Sequence, residues 1–235
     1  MPLKIVFMGT PEFSVPALNL LIKKKYNILK VYTQPPQKSK RGQKVNFSAI
    51  GNFCQKNEIN FNNPSNLNNQ KEIEDFKLLS PDIVVVVAYG QLIPKAFLKL
   101  PKFGFINIHA SLLPKWRGAA PIQRAIINGD KKIGVSIMKI QEKLDTGPIL
   151  SSKQIDLDKN STHGEVEKKL SLIGADLLVE SLESIENGTL KFIEQASKDA
   201  TYAKKIDKKP YTNMSFCSKV KSGIIQVKEI FFTHF

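Results

Sequence analysis

Cysteine is scarce in this chain and long apolar runs are missing, and each absence excludes a class of protein. The two cysteines, Cys54 and Cys217, lie far apart and match neither a disulfide framework nor the paired spacing of a zinc site. No apolar run approaches the ~18 residues of a membrane-spanning helix, and the N-terminal run is too short for a signal peptide. These absences predict a cytoplasmic protein with no metal, no structural disulfide and no membrane contact. No obligate protein partner is evident in the sequence.

Negative charge is also in short supply. The chain of 235 residues has 35 Lys and Arg against 21 Asp and Glu, a net charge of +14 and a pI near 9.6. Such an excess favours a polyanionic partner, although a lysine-rich composition throughout the chain explains it equally well. With 42% hydrophobic and 24% charged residues, the composition is that of an ordinary globular protein with one large domain, alone or with an appendage.

Apolar runs that are typical of strands alternate with helical patterns along most of the chain. Thr162 and Glu165 form a capping box before a long helix. The alternation predicts an α/β fold, with a mostly parallel twisted sheet and helices on both faces. Ligands bind to such sheets outside the carboxyl ends of the strands. The strand-like runs are residues 4–8, 28–33, 82–88, 104–109, 133–140 and, as a possible edge strand, 149–157.

The strand at 104–109 carries polar side chains where it ends. Side chains alternate between the two faces of a strand, so Asn107 and His109 share one face, about 6.6 Å apart. A carboxamide and an imidazole at that spacing can hold one small reacting group. Further along, Asp145 offers a carboxylate in the turn-like stretch Leu-Asp-Thr-Gly. The three residues predict a catalytic site at the edge of the sheet.

Asn107, His109 and Asp145 suit proton transfer beside a carbonyl whose oxygen becomes negative. The Asn107 amide can donate to the oxyanion, and His109 can titrate near neutrality and donate as an imidazolium. We predict that Asp145 orients His109 and stabilises its charge. Each residue also has a structural explanation: a cap at the strand end, a buried core histidine and an ordinary turn aspartate. Only the occurrence of all three residues together indicates a function.

The segment between these residues carries a family resemblance. The run Asn-x-His-x-Ser-Leu-Leu-Pro-x-x-Arg-Gly at 107–118, followed by Leu-Asp-Thr-Gly, resembles the signature of the folate-dependent formyltransferases. Gly9-Thr-Pro-Glu-Phe13, Thr33-Gln-Pro35 and Gly118-Ala-Ala-Pro-Ile-Gln123 are similar to the subgroup that acts on methionyl-tRNA. The resemblance covers residues 3–206 and implies a Rossmann-like catalytic domain over residues 1–206.

The resemblance also implies an activity and a set of binding residues. The reaction would transfer a formyl group from 10-formyltetrahydrofolate to the free amino group of initiator methionyl-tRNA, giving formylmethionyl-tRNA for translation initiation. Arg117 would either hold the loop in which it lies or meet a carboxylate. A loop packed into the core is the competing explanation for the implied folate-binding residues. These are Ser111, Leu112, Leu113 and Pro114.

A basic loop at 34–45 contains no acidic residue. In the tRNA-modifying subgroup the matching loop enters the acceptor arm, so the resemblance implies that its basic side chains bind tRNA. Phosphate contacts of this kind depend on salt and set register more than sequence. A solvated loop without a ligand is the competing explanation. The basic residues concerned are Lys38, Lys40, Arg41 and Lys44.

The resemblance stops near Ile206. Members of the subgroup continue into a C-terminal β-barrel domain, which residues 207–235 do not match, so we expect a catalytic domain followed by an atypical tail. Three other activities stay open at this point. They are formylation of an amine on a sugar nucleotide, hydrolysis of a formyl folate, and tRNA binding by a remnant without catalysis.

Overall fold

A seven-stranded sheet runs through the part of the chain that the computed structural model describes, residues 2–38 and 45–206. Its strands are β1 (Lys4–Gly9), β2 (Asn27–Tyr32), β5 (Phe61–Asn62), β6 (Ile83–Val87), β7 (Phe105–His109), β8 (Lys132–Lys139) and β9 (Ile149–Asp156). A separate antiparallel hairpin pairs β3 (Gln37–Lys38) with β4 (Val45–Asn46).

The strand order is β5-β2-β1-β6-β7-β8-β9. The first five strands are parallel, whereas β8 and β9 are antiparallel to their neighbours. The predicted mostly parallel sheet is therefore confirmed, and the run at 149–157 forms the edge strand β9. The antiparallel pairing of β8 puts its start, not its end, beside the carboxyl end of β7.

Helices cover both faces of the sheet. Thr162 accepts a hydrogen bond from the Glu165 N–H, and the Glu165 side chain accepts one from the Thr162 N–H, which confirms the predicted capping box. The helices are α1 (Val15–Lys23), α2 (Ala49–Lys56), α3 (Gln70–Leu79), α4 (Lys95–Leu98), α5 (Pro121–Asn128) and α6 (His163–Glu186), with single 3-10 turns at Glu12–Ser14 and Ser197–Asp199.

Strand β7 contributes to a core on each face of the sheet. Ile106 and Ile108 pack in the larger core, which also holds side chains of α1, α2, α5 and α6. Phe105 packs on the opposite face, in a smaller core with Phe76 of α3 and Phe97 of α4. Because side chains alternate along a strand, the polar residues at 107 and 109 share the face of the smaller core, as the sequence predicts.

The described residues form neither a membrane-spanning helix nor a metal-binding cluster. Among the helices formed by residues 2–38 and 45–206, none has both the length and the apolarity to cross a membrane. Across the same two ranges, no group of three or more His, Cys, Asp or Glu side chains could hold a metal ion. The predicted atypical tail, 207–235, lies outside the described residues.

Candidate active site

Two polar residues end β7 at the carboxyl edge of the sheet. Asn107 lies between Val86 of β6 and Met138 of β8, and His109 is the last residue of the strand, opposite Ser136 of β8. Asn107 is half-buried. Within residues 2–38 and 45–206, its carboxamide makes no hydrogen bond. Both of its N–H donors are therefore available to a ligand at the strand end.

A main-chain carbonyl fixes the imidazole of His109. His109 Nε2 lies 2.9 Å from the carbonyl oxygen of Trp116. A carbonyl oxygen can only accept, so Nε2 carries a hydrogen and donates it. In the neutral ring this arrangement leaves the lone pair on Nδ1, and the residue is only 6% exposed. Nδ1 is therefore the ring nitrogen that can exchange a proton with a bound group.

The carboxylate of Asp145 faces that nitrogen. Asp145 Oδ2 lies 3.8 Å from His109 Nδ1 and accepts a 2.7 Å hydrogen bond from the Gly118 N–H. The first distance is too long for a hydrogen bond, so the two atoms face each other without a direct bond. Asp145 has a left-handed backbone, with φ +50°, a conformation that Asp tolerates better than most residues. The structure brings the predicted pair together, but the bond that orients the ring comes from Trp116 instead of Asp145.

The loop after β7 packs inward over much of its length. The Ser111 hydroxyl donates to the Lys115 carbonyl, and the Ser111 carbonyl accepts from the Ser136 hydroxyl. The Leu113 N–H donates to the same Ser136 hydroxyl. Ser111 and Leu113 are buried, and Pro114 follows a cis peptide bond. Several polar groups of the predicted folate-binding stretch 111–114 therefore already have hydrogen-bond partners within the protein. Folate binding by this stretch stays a prediction.

Asp130 anchors the end of this loop. Its carboxylate accepts hydrogen bonds from the Trp116 indole at 2.7 Å and from Asn128 at 2.6 Å, and it pairs with the Lys115 ammonium at 2.9 Å. Burial by itself would raise the pKa of Asp130, but these three donors outweigh it and hold the pKa below its usual range. Asp130 therefore fixes Trp116, the residue whose carbonyl orients His109.

A groove lies between α4 and residues 140–143, near the start of β7, where the Ile140 N–H donates to the Phe105 carbonyl. A Lys95–Glu142 ion pair of 2.7 Å spans it at the surface. Leu92 and Leu144, on the two bordering loops, are both exposed. The groove is lined by Lys95, Leu98, Lys99, Ile140, Gln141, Glu142 and Lys143. Most of these residues are polar or charged, and Leu98 and Ile140 are the apolar ones.

Of the four predicted tRNA-binding residues, the structure describes only one. Lys38 belongs to β3, whose main chain pairs with Val45 of β4. The other three, Lys40, Arg41 and Lys44, lie outside the described residues. The pairing of β3 with β4 holds the two ends of the basic loop together.

With this geometry in hand, comparison with known proteins identifies the family. A profile described as formyl transferase matches residues 3–182. The chain belongs to the formyl transferase family. It is 52% identical over 206 residues to a methionyl-tRNA formyltransferase of Pelagibacter ubique, covering 87% of this chain and 66% of the relative. It is 48% identical over 208 residues to the enzyme of that name from Coxiella burnetii, covering 88% and 66%. The chain thus spans about two thirds of the length of these relatives.

Solved structures of formyl transferases share the fold. A phosphoribosylglycinamide formyltransferase from Bacillus halodurans superposes with a TM-score of 0.66 at 20% identity, over 79% of this chain and 97% of that one. An N-formyltransferase from Helicobacter canadensis gives the same score at 19% identity, over 91% and 77%. At this level of identity the likeness concerns the fold alone, and it agrees with the predicted Rossmann-like formyltransferase architecture.

One residue of this formyl transferase family member, Gln195, lies beyond the residues that the family profile matches. It links the loop after β7 to the segment that contains Asp145 and Gly147. Gln195 accepts hydrogen bonds from the Arg117 guanidinium and donates to the carbonyls of Asp145 and Gly147. Arg117 therefore holds the loop in which it lies, which is the first of the two roles that the sequence left open for it. Nothing in the local sequence around Gln195 indicates this role, because its partners lie 48 to 78 residues away.

Proposed function

We propose that the chain transfers the formyl group of 10-formyltetrahydrofolate to the free amino group of methionyl-tRNA, giving formylmethionyl-tRNA for translation initiation. Two relatives at 52% and 48% identity bear the name of this activity. The observation that carries the proposal is the group of side chains at the end of β7. There Asn107 and His109 lie on one face of the strand, and Asp145 Oδ2 lies 3.8 Å from His109 Nδ1. Residues 1–206 would form the catalytic domain.

The reaction forms one carbon–nitrogen bond and breaks another. The unprotonated amine of the aminoacyl group attacks the formyl carbon, and a tetrahedral centre with an anionic oxygen results. The amine loses a proton, and the folate nitrogen gains one as its bond to the formyl carbon breaks. The site must therefore stabilise the oxyanion and move one proton from nitrogen to nitrogen.

Each side chain has a task in this scheme that follows from its surroundings. Asn107 donates to the oxyanion, because its N–H groups have no partner among the described residues. His109 works through Nδ1, since Nε2 is bound to the Trp116 carbonyl; as an imidazolium it donates from Nδ1 to the oxyanion. Asp145, 3.8 Å from Nδ1, stabilises the protonated ring and can receive the proton through water.

The two substrates would occupy different sides of these residues. We assign the folate to the loop at 111–114 after β7, as the family resemblance implies. The tRNA would approach from the basic loop between β3 and β4. Its phosphates would meet the four basic residues Lys38, Lys40, Arg41 and Lys44.

Parallel assays on the full chain test the proposal. Purified protein is given a formyl-folate donor with methionyl-tRNA, with an amino-sugar nucleotide, or with water alone. We expect formylation of methionyl-tRNA and loss of that activity in Asn107→Ala, with an unchanged unfolding midpoint. Formylation of the sugar alone would overturn the choice of acceptor. Binding of tRNA without transfer to any acceptor would indicate a remnant without catalysis.

A further inference from the structure

A segment after α6 crosses the site and contacts the loops on both sides of it. We call this segment, 193–204, the strap. At its start, Ile193 exchanges two main-chain hydrogen bonds with Ile149 of β9. Near its end, Ala203 donates to the Arg117 carbonyl at 2.7 Å, and Arg117 donates to the Thr201 carbonyl at 2.9 Å. The strap is therefore tied by its main chain to both loops of the site.

Gln195 is the strap residue whose side chain joins these loops. Its Oε1 accepts from Arg117 Nε at 3.0 Å and from Arg117 Nη2 at 2.8 Å. Its Nε2 donates to the carbonyls of Asp145, at 3.0 Å, and Gly147, at 2.6 Å. A glutamine amide has two donors and two acceptor sites, so all four are used. The partners also fix which end is oxygen, because a guanidinium only donates and a carbonyl only accepts.

Arg117 is flanked in the chain by the two residues whose main chain contacts His109 and Asp145. The carbonyl of Trp116 orients His109, and the N–H of Gly118 binds the Asp145 carboxylate. Arg117 stands between these two residues, is 3% exposed and is held by Gln195. A change at Gln195 therefore acts on the main chain that positions both His109 and Asp145.

Close packing keeps the linked loops from relaxing independently. A Cβ on Gly118 would lie 2.8 Å from the carbonyl oxygen of Ala203 in the strap. A Cβ on Gly147 would lie impossibly close to the Lys139 carbonyl of β8. The main chain at both positions thus lies directly against its neighbour, and the Gln195 amide spans the remaining distance between the two loops.

We infer that Gln195 is a positioning residue for formyl transfer, which holds the Asp145 carboxylate at its distance from His109 Nδ1. The inference depends on the proposed function and extends it to a residue outside the span that the family profile matches. Glutamine is specifically required, because the site needs an acceptor toward Arg117 and two donors toward carbonyl oxygens. A glutamate would keep the bond to Arg117 but would repel both carbonyls, since an ionised carboxylate only accepts.

The first test compares Gln195→Glu with Gln154→Glu, the same chemical change at an exposed position of β9. We expect Gln195→Glu to lower kcat on the order of tenfold to a hundredfold, as misplacement of a catalytic group does. KM for the formyl donor and for methionyl-tRNA should stay nearly constant. Gln154→Glu should leave kcat unchanged. An unchanged kcat in Gln195→Glu, or a loss that appears only as a higher KM, would overturn the inference.

A double-mutant cycle separates positioning from general destabilisation. If Gln195 acts through Asp145, Gln195→Glu should have little further effect on kcat in an Asp145→Asn background. Equal losses in both backgrounds would contradict the inference. Thermal unfolding of each variant shows whether the fold is retained, and Gln195→Met serves as a second, uncharged variant that loses both donors.

A second readout does not need activity. The chain has three histidines, His109, His163 and His234, so nitrogen NMR of the full chain can resolve their rings, with single His→Gln variants for assignment. We expect Gln195→Glu to move the His109 resonances, Gln154→Glu to leave them in place, and Asp145→Asn to abolish the response. If wild-type protein formylates nothing, the proposed function fails, while this spectrum still decides whether Gln195 positions the pair. Unmoved His109 resonances would overturn the inference.

Discussion

Asp130 gives the sharpest test of how the loop after β7 supports the site. Its side chain is only 6% exposed, and it binds the Trp116 indole, the Lys115 ammonium and the Asn128 amide. Hydrogen bonds to a charged group contribute about 1.5–3 kcal/mol each. Asparagine at 130 keeps one acceptor oxygen and turns an amide N–H₂ toward a donor. We therefore expect Asp130→Asn to lower the free energy of unfolding by about 2–3 kcal/mol.

The same change should reach the chemistry through Trp116. Because the Trp116 carbonyl orients His109, a shifted indole moves the imidazole, and kcat should fall about tenfold or more. Urea unfolding and formyl-transfer kinetics measure the two effects. Asp156→Asn, at an exposed position of β9, is the matched control and should change neither. A stability loss below about 0.5 kcal/mol, the usual range for surface substitutions, would refute the anchoring role.

The stability effect of Asp130 should also depend on pH in a defined direction. Its carboxyl pKa is lower in the folded chain than its usual value, so the folded state favours the ionised form. The contribution is fully present above the unfolded-state pKa of about 4 and is lost as pH falls through the folded-state pKa. The difference in unfolding free energy between the wild type and Asp130→Asn should therefore shrink below about pH 4. A difference that stays constant down to pH 2.5 or so would contradict the assignment.

Three further changes test the site and its frame. Asn107→Ala should lower kcat on the order of 10²–10³-fold, because it removes an oxyanion donor; steady-state kinetics with an unchanged unfolding midpoint would support it. Gly147→Ala should destabilise the fold and lower activity, since the new Cβ would overlap the Lys139 carbonyl; wild-type unfolding in urea would count against the packing described here. Thr162→Ala should cost about 1 kcal/mol through loss of the α6 cap, with kcat intact; a change in kcat would show that α6 communicates with the site.

The sequence by itself determined the parts of this protein that follow from local rules. Side chains alternate along a strand, so the pattern Asn-x-His at the end of an apolar run places Asn107 and His109 on one face before any fold is known. The box of Thr162 and Glu165 marks the start of α6 by the same kind of short-range chemistry. The alternation of strands and helices predicted the mostly parallel sheet that the structure has, and it led to the prediction of a site at the carboxyl edge.

Tertiary structure alone decided which atoms of those residues face each other. The sequence suggested Asp145 as the group that orients His109, whereas the orienting bond comes from the main chain of Trp116. A carbonyl oxygen is present in every residue, so no residue type marks such a partner in the sequence. Gln195 lies 50 residues from Asp145 and 78 from Arg117, and only the path of the chain after α6 brings the three together. Contacts of this range depend on the packed main chain as a whole, which is why residue patterns could not indicate them.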